Sequence, residues 1–187
     1  MAEKELIAVL DTETNWDDRL MSVGVVTARD GEFLPLNRLY FVIEPEYERG
    51  GNYEDSLFLP GLDPVMLSKE EAVAALTAFF KQQGITKLFA YNARFDRAVL
   101  SALRGFRWFD IMGLARYRQF NPAIPETAEC YSTGRMKRGF GVEPILRMLS
   151  GDRCYCEQHN ALTDAEDELS IMRLLGHEAE TYVFTEI

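Results

Sequence analysis

The stretch LIAVLDTET, residues 6–14, decides the fold and suggests a site. Its first five residues are apolar, which predicts a short buried strand over residues 6–10. Asp11 and Glu13 follow at spacing i, i+2, so in an extended chain both carboxylates point to the same face. Two like charges there are costly unless a cation lies between them, and oxygen ligands suit Mg²⁺ or Mn²⁺. Solvated acids that merely end a strand are the alternative interpretation.

Length and composition predict one domain over residues 1–187. The 187 residues can bury most of their apolar surface in a single core, and 47% hydrophobic with 27% charged residues is ordinary for a globular protein. No apolar run approaches the roughly 20 residues that span a bilayer, and residues 1–5 lack the pattern of a signal peptide. We therefore expect no membrane partner.

Cysteine content predicts a reducing, cytoplasmic location. The chain has three cysteines, an odd and low number for its size. Cys154 and Cys156 are separated by one residue, and His159 is the one nearby partner, so the spacing argues against a structural zinc site.

The charge is unevenly distributed along the chain. A net charge of -10 argues against a nonspecific nucleic-acid coat protein. Residues 94–153, however, carry 11 basic and 6 acidic side chains. This block could hold an anionic ligand, although arginines on helix surfaces are commonly just solvated.

Hydrophobic periodicity predicts a mixed α/β layered fold. Three strands form a meander with a hairpin turn at residues 29–31, and helices and strands alternate after it. Residues 44–64 and 119–139 contain several prolines and glycines and are predicted as loops. The expected strands are 6–10, 20–26, 38–43, 87–91 and 107–110, and the expected helices are 69–82, 94–103, 141–149 and 161–175.

A second group of candidate residues follows the fourth strand. Asn92 is a good N-cap residue, and Asp96 falls in the first turns of the helix after it. An acid at that position also complements the helix dipole, and this structural role alone would explain it.

A third group precedes the last helix. His159 comes just before it, Asn160 could cap it, and Asp164 should face inward one turn later. Asp167 or Glu168 could replace Asp164 as an inward ligand. A histidine on a loop is more often a hydrogen-bonded surface residue than a catalyst.

Together the three groups closely resemble the DEDDh family of 3′–5′ exonucleases. The matching patterns are Asp-x-Glu at residues 11–13, Asn-x-x-Phe-Asp at 92–96 and His-x-x-x-x-Asp at 159–164, in the family's order. The resemblance implies a ribonuclease H-like mixed five-stranded sheet flanked by helices. It also implies Asp11, Glu13, Asp96 and Asp164 as ligands of two divalent cations, Mg²⁺ or Mn²⁺, and His159 as general base.

The family resemblance also implies a substrate and a reaction. The substrate would be the single-stranded 3′ end of DNA or RNA, hydrolysed to nucleoside monophosphates. A polymerase or repair protein is one candidate partner, and the choice among proofreading, repair and RNA turnover stays open. Backbone amides around Thr12, Thr14 and Asn92 are expected to hold the terminal nucleotide. For Phe95, a core position at helix spacing is favoured over stacking on a base.

Two departures from the family pattern affect substrate contacts and not metal ligands. Tyr91 stands where members often have histidine, and Asn15 stands where they often have glycine. Two other functions stay open: a nonenzymatic nucleic-acid- or polymerase-binding module on the same fold, and a phosphodiesterase for short oligonucleotides. The choice between DNA and RNA also stays open, because the 2′-hydroxyl contact depends on cleft geometry.

Overall fold

The computed structural model describes residues 4–187 and contains a six-stranded mixed sheet. Its spatial order is β4-β3-β2-β1-β5-β6. The strands β1 to β3 are antiparallel neighbours, whereas β4 joins β3, β5 joins β1 and β6 joins β5 in parallel. Their bounds are Leu6–Thr14, Leu20–Arg29, Asn37–Ile43, Val65–Leu67, Lys87–Ala90 and Arg107–Asp110, for β1 to β6.

The sheet confirms the predicted α/β class and differs from the prediction in strand count and length. The strand that was not predicted is β4, which has three residues, too few for an alternating pattern to show in the sequence. The first strand extends through Thr14, so Asp11 and Glu13 lie within β1 and not beyond its end. Of residues 1–5, for which we expected no signal peptide, residues 1–3 lie outside the described part of the chain.

Within residues 4–187, five α-helices accompany the sheet, and two of them have the predicted bounds. These two are α1, Lys69–Gln82, and α5, Ala161–Leu175. The helix predicted over 94–103 ends early: α2 spans Arg94–Val99, and a separate 3-10 turn follows it. The helix α4, Val142–Ser150, is shifted by one residue, and the short α3, Met112–Ala115, was not predicted.

Alternate residues of β1 face two different hydrophobic clusters. Ile7 and Val9 pack with residues of α4 and α5, whereas Ala8 and Leu10 pack with residues of α1 and with those flanking α2. Because side chains alternate along a strand, Asp11 and Glu13 continue the face that α5 covers. Thr12 continues the face that α2 covers.

A glycine lets α5 approach the sheet beside Asp11. Gly24 of β2 pairs with Asp11 of β1. A Cβ atom at Gly24 would lie 2.2 Å from the carbonyl oxygen of Ala161, the first residue of α5. Because glycine lacks this atom, the first turn of α5, which carries Asp164, can lie close to the sheet beside Asp11.

The two predicted loops have internal structure. The 44–64 loop contains 3-10 turns at Glu46–Arg49 and Glu54–Ser56. In the 119–139 loop, one Arg118 nitrogen donates to the carbonyl oxygens of Pro125, Glu126 and Ala128. This arginine of the basic block therefore organises a loop. None of the helices within residues 4–187 is both long and apolar enough to cross a membrane.

Candidate metal centre

Three carboxylates from two elements meet at the end of β1. Oxygen atoms of Asp11, Glu13 and Asp164 lie within 4.8 Å of one another. Asp11 and Glu13 share a face of β1, and Asp164 projects from the first turn of α5. The structure thus brings together three of the four predicted metal ligands.

The start of α5 is fixed by its own sequence. The side-chain oxygen of Asn160 accepts hydrogen bonds from the backbone N–H groups of Leu162 and Thr163, at 3.0 and 3.3 Å. Asn160 is therefore the N-cap, as predicted. Asp164 is buried and faces inward, also as predicted.

His159 forms a second group that shares Asp164. A ring nitrogen of His159 and carboxylate oxygens of Glu157 and Asp164 lie within 4.8 Å of one another. The ring of Tyr53 stacks on the His159 imidazole, with 4.1 Å between centroids and 18° between planes. Glu157 and Tyr53 were not predicted. Glu157 stands only two residues before His159, which is a usable signal, whereas no spacing connects Tyr53 to the site.

Asp96 is placed differently from the other acids. Among the described residues it belongs to neither of the two groups. Its Oδ1 accepts a hydrogen bond of 2.8 Å from the Thr12 hydroxyl. Asp96 is nevertheless buried, and after burial itself its charge is the largest cause of the raised pKa of Asp11, so the two carboxyl groups interact.

The predicted N-cap of α2 is wrong. Ala93 occupies the cap position without a side-chain hydrogen bond, and Asn92 has a left-handed φ of 63°. The backbone N–H of Asn92 instead donates to Asp110 Oδ1 at 2.9 Å. Asn92 tolerates this conformation better than most residues do, and its side chain is exposed.

The two alternative ligands on α5 have other surroundings. Asp167 accepts a hydrogen bond from the Tyr155 hydroxyl. Glu168 lies one turn beyond Asp164 and is fully buried, and its Oε2 has no hydrogen-bond partner within the described chain. Burial and then the charges of Asp11 and Asp96 raise the pKa of Glu168 well above its usual range.

Burial and mutual repulsion make the cluster electrostatically costly. Burial, followed by the charges of Asp164, Glu157 and Asp96, raises the pKa of Glu13 to about 8. Burial, followed by Glu157 and Asp167, raises the pKa of Asp164 to about 8. Burial also raises the pKa of Asp96 to about 7 and is the main cause of the raised pKa of Asp11.

This donor set fits divalent cations. All the cluster ligands are carboxylate oxygens, which suit Mg²⁺ and Mn²⁺, and Asp11 Oδ2 is buried with no hydrogen-bond partner in residues 4–187. A bound cation would supply the positive charge that this part of the site needs.

The two departures from the family pattern have structural explanations. Asn15 is buried; its amide donates to the Glu46 carbonyl at 3.0 Å, and its oxygen accepts from the backbone N–H groups of Asp17 and Arg19. It therefore ties the end of β1 to the 44–64 loop. Tyr91 is buried, and its hydroxyl donates to the Phe140 carbonyl oxygen.

The expectation that Phe95 lies in the core is wrong. Its side chain is 43% exposed, and the buried residue of the six-residue α2 is Asp96. Trp16, just past β1, is 66% exposed. Two aromatic rings near the ends of β1 and β5 thus face solvent.

Comparisons with known proteins support the fold. Neither family models nor curated proteins match this chain in sequence. Among solved structures, Escherichia coli exonuclease I in complex with a dT13 oligonucleotide has a TM-score of 0.61 and 16% identity, over 92% of this chain and 40% of that one. Exonuclease I from Methylocaldum szegediense has a TM-score of 0.58 and 20% identity, over 91% of this chain and 40% of that one.

A third similar structure shows 3′-end recognition of a histone mRNA stem-loop by a 3′-exonuclease. Its TM-score is 0.62 at 13% identity, over 92% of this chain and 64% of that one. The chain spans less than two thirds of the length of each of these proteins. Because all three identities are below 25%, the likeness concerns the backbone arrangement. The chain has the ribonuclease H-like fold that these exonucleases share.

Proposed function

We propose that this protein is a metal-dependent 3′–5′ exonuclease that releases nucleoside monophosphates from single-stranded nucleic acid. The observation that carries the proposal is the cluster of Asp11, Glu13 and Asp164 beside His159. This cluster occurs on the fold shared with several exonucleases. The predicted reaction needs carboxylates for cations and a base for water, and both are adjacent here.

Asp11, Glu13 and Asp164 would hold two divalent cations, Mg²⁺ or Mn²⁺, together with Asp96. Bound cations would make a water more acidic and stabilise the charge that develops on the leaving oxygen of the phosphodiester. The hydrogen bond from Thr12 uses one oxygen of Asp96 and leaves the other for this role. Asp96 would then depend on Thr12 for its orientation.

His159 would act as the general base. Its ring lies next to Asp164, so a proton taken from the attacking water travels only a short distance. The Glu157 carboxylate beside the ring would stabilise the imidazolium that results.

The terminal nucleotide would bind around Thr12, Thr14 and Asn92. The backbone N–H of Asn92 is already used by Asp110, so its exposed side chain is the group available to substrate. Exposed Trp16 and Phe95 could stack on bases, as aromatic residues do in single-strand binding proteins. The E. coli neighbour was solved with a single-stranded DNA oligonucleotide and the stem-loop neighbour concerns RNA, so both nucleic acids are tested below.

Two predictions concern the setting of the protein. A polymerase or repair partner stays a prediction from the family resemblance. A cytoplasmic location stays a prediction from the cysteine content; Cys130, Cys154 and Cys156 are free thiols in the structure.

A direct test uses 5′-labelled single-stranded DNA and RNA of matched sequence, incubated with Mg²⁺, Mn²⁺ or a chelator. We expect a ladder that shortens from the 3′ end with either metal, mononucleotide products, and no reaction with chelator. A substrate whose 3′ end carries an inverted nucleotide should resist degradation. The Asp164→Asn variant serves as the protein control for a contaminating nuclease.

The same experiment separates the alternatives. Binding without shortening in any metal would contradict the proposal and favour a nonenzymatic module. Hydrolysis of dinucleotides and trinucleotides, but not of longer strands, would favour a phosphodiesterase for short oligonucleotides.

A further inference from the structure

Tyr53 connects the 44–64 loop to the candidate base. It precedes the 3-10 turn Glu54–Ser56, and its ring lies nearly parallel to the His159 imidazole at 4.1 Å. One face of the Tyr53 ring covers the histidine, and the residue is 36% exposed. The stack therefore forms part of the wall of the site and not part of the core.

The loop that carries Tyr53 is fastened to the start of α5. The Asn160 amide nitrogen donates to the Ser56 carbonyl oxygen at 2.6 Å and to the Tyr40 hydroxyl at 2.7 Å. The Tyr40 hydroxyl in turn donates to the carbonyl oxygen of buried Leu57 at 2.8 Å. The loop segment that follows Tyr53 is thus hydrogen-bonded to the residue that follows His159.

Asn160 is fully occupied by these contacts. Its oxygen caps α5, and its nitrogen donates to Ser56 of the loop and to Tyr40 of β3, so each end of the buried amide has two partners. One side chain therefore fixes the helix start, the loop and the distance between them.

His159 needs outside support for its conformation. Its φ of 54° is left-handed, a region that non-glycine residues seldom occupy unless the surroundings enforce it. The Asn160 cap defines the backbone on the C-terminal side, but the imidazole could still rotate about its side-chain bonds. The Tyr53 ring on one face restricts that rotation, with Glu157 and Asp164 beside a ring nitrogen.

We infer that Tyr53 is a positioning residue that holds the His159 imidazole toward Asp164, and that Asn160 holds Tyr53 in place. The inference rests on the proposed exonuclease function, in which His159 takes a proton from water. Tyr53 acts through His159 and contacts no reacting atom. Its phenol hydroxyl is not needed for stacking, so phenylalanine should replace it.

The kinetic test compares Tyr53→Leu with Tyr53→Phe on a single-stranded oligonucleotide. We expect Tyr53→Leu to lower kcat about 10-fold or more, since small misplacements of a catalytic group are costly, while KM changes little. Tyr53→Phe should keep the wild-type kcat. Phe58→Leu is the matched control, because Phe58 is an exposed aromatic residue of the same loop that packs on Tyr47 and not on His159.

A spectroscopic test checks the stack without any reaction. The chain has two histidines, His159 and His177, so two imidazoles appear in the NMR spectrum. The Tyr53 ring current should shift the His159 ring protons upfield, and Tyr53→Leu should move them downfield. His177, which meets the edge of Phe120, should not change and also reports that the variant is folded.

Several outcomes would overturn the inference. Unchanged His159 shifts in Tyr53→Leu would show that there is no stack in solution, and an unchanged kcat would show that the stack does not serve catalysis. A raised KM with unchanged kcat would make Tyr53 a substrate contact. A wild-type protein without nuclease activity would overturn the proposed function itself, which is a different result from an active Tyr53→Leu variant.

Discussion

The first turns of α2 and α5 each carry one buried aspartate of the site, but the two turns are built differently. In α5, the Asn160 side chain caps a helix of 15 residues, and Asp164 follows at a fixed distance along it. In α2, a helix of six residues begins without a side-chain cap, and the Asp96 carboxylate is held by Thr12 of β1. Local sequence therefore fixes where Asp164 falls along α5, with Gly24 allowing that helix to lie on the sheet, whereas a contact between distant residues holds the Asp96 carboxylate.

The difference extends to the charge that each aspartate leaves unsatisfied. Asp164 lies among Asp11, Glu13 and Glu157, and its one side-chain bond, from Thr163, is a long 3.4 Å. Asp96 has a close hydroxyl donor and, among the described residues, belongs to neither group of mutually close ligand atoms. Under the proposed function, the β1–α5 part of the site would therefore depend most strongly on cations.

Removing a charge from the β1–α5 part should have the largest effect. We expect Asp11→Asn or Asp164→Asn to lower the exonuclease rate by about 1000-fold or more, because the cations lose a charged ligand. The fold should persist, as an amide replaces a carboxyl of the same shape. Rates on a single-stranded oligonucleotide and circular dichroism spectra measure both effects. The control is Asp63→Asn, which changes an exposed acid. A wild-type rate in Asp11→Asn or Asp164→Asn would show that the assigned metal site is wrong.

Removing the base should have the next largest effect. His159→Ala should lower the rate by roughly 100- to 10,000-fold, since only the proton transfer is lost. Binding of Mn²⁺ should change little, because the carboxylates remain. The pH–rate profile and a metal titration measure these two results, with His177→Gln as the control. An unchanged pH–rate profile in His159→Ala would remove His159 from the mechanism.

The sequence predicted the α5 part of the site better than the α2 part, for a physical reason. A capping asparagine and an apolar stripe act within a few residues, so α5, its cap and inward Asp164 could all be predicted. The contacts of Asp96 with Thr12 and of His159 with Tyr53 join residues that are 84 and 106 positions apart, and no local pattern encodes them. The strand β4 and the exposure of Phe95 were missed because short elements carry little periodicity.

Removing the hydrogen bond from Thr12 to Asp96 should have a moderate effect on the exonuclease rate. Thr12→Val keeps the shape of the side chain and removes the hydroxyl that donates to Asp96, so the buried carboxylate loses its partner. We expect a rate about 10-fold lower and a weaker response to Mn²⁺, whereas Thr12→Ser should retain both. Measuring the rate as a function of Mn²⁺ concentration separates a lower maximal rate from a weaker affinity for Mn²⁺. A fully active Thr12→Val variant would mean that Asp96 does not depend on Thr12.

The smallest expected effect is on the stability of the metal-free protein, and its sign follows from the raised pKa values. Glu13 and Asp164, with pKa values raised to about 8, bind protons more tightly when folded, so the stability they contribute is present at low pH. It is lost as the pH rises through about 8, where the folded protein must hold adjacent charges. In the presence of a chelator, the Tm of the protein should therefore fall between pH 6 and pH 9.

Added Mg²⁺ should raise this Tm by roughly 5 °C at pH 9 and by less at pH 6. Asp164→Asn should reduce both the pH dependence of Tm and its increase with Mg²⁺, whereas the control Asp63→Asn should reduce neither, as measured by thermal unfolding. An equal effect of Mg²⁺ at the two pH values would contradict the assignment of charge repulsion to the β1–α5 part of the site.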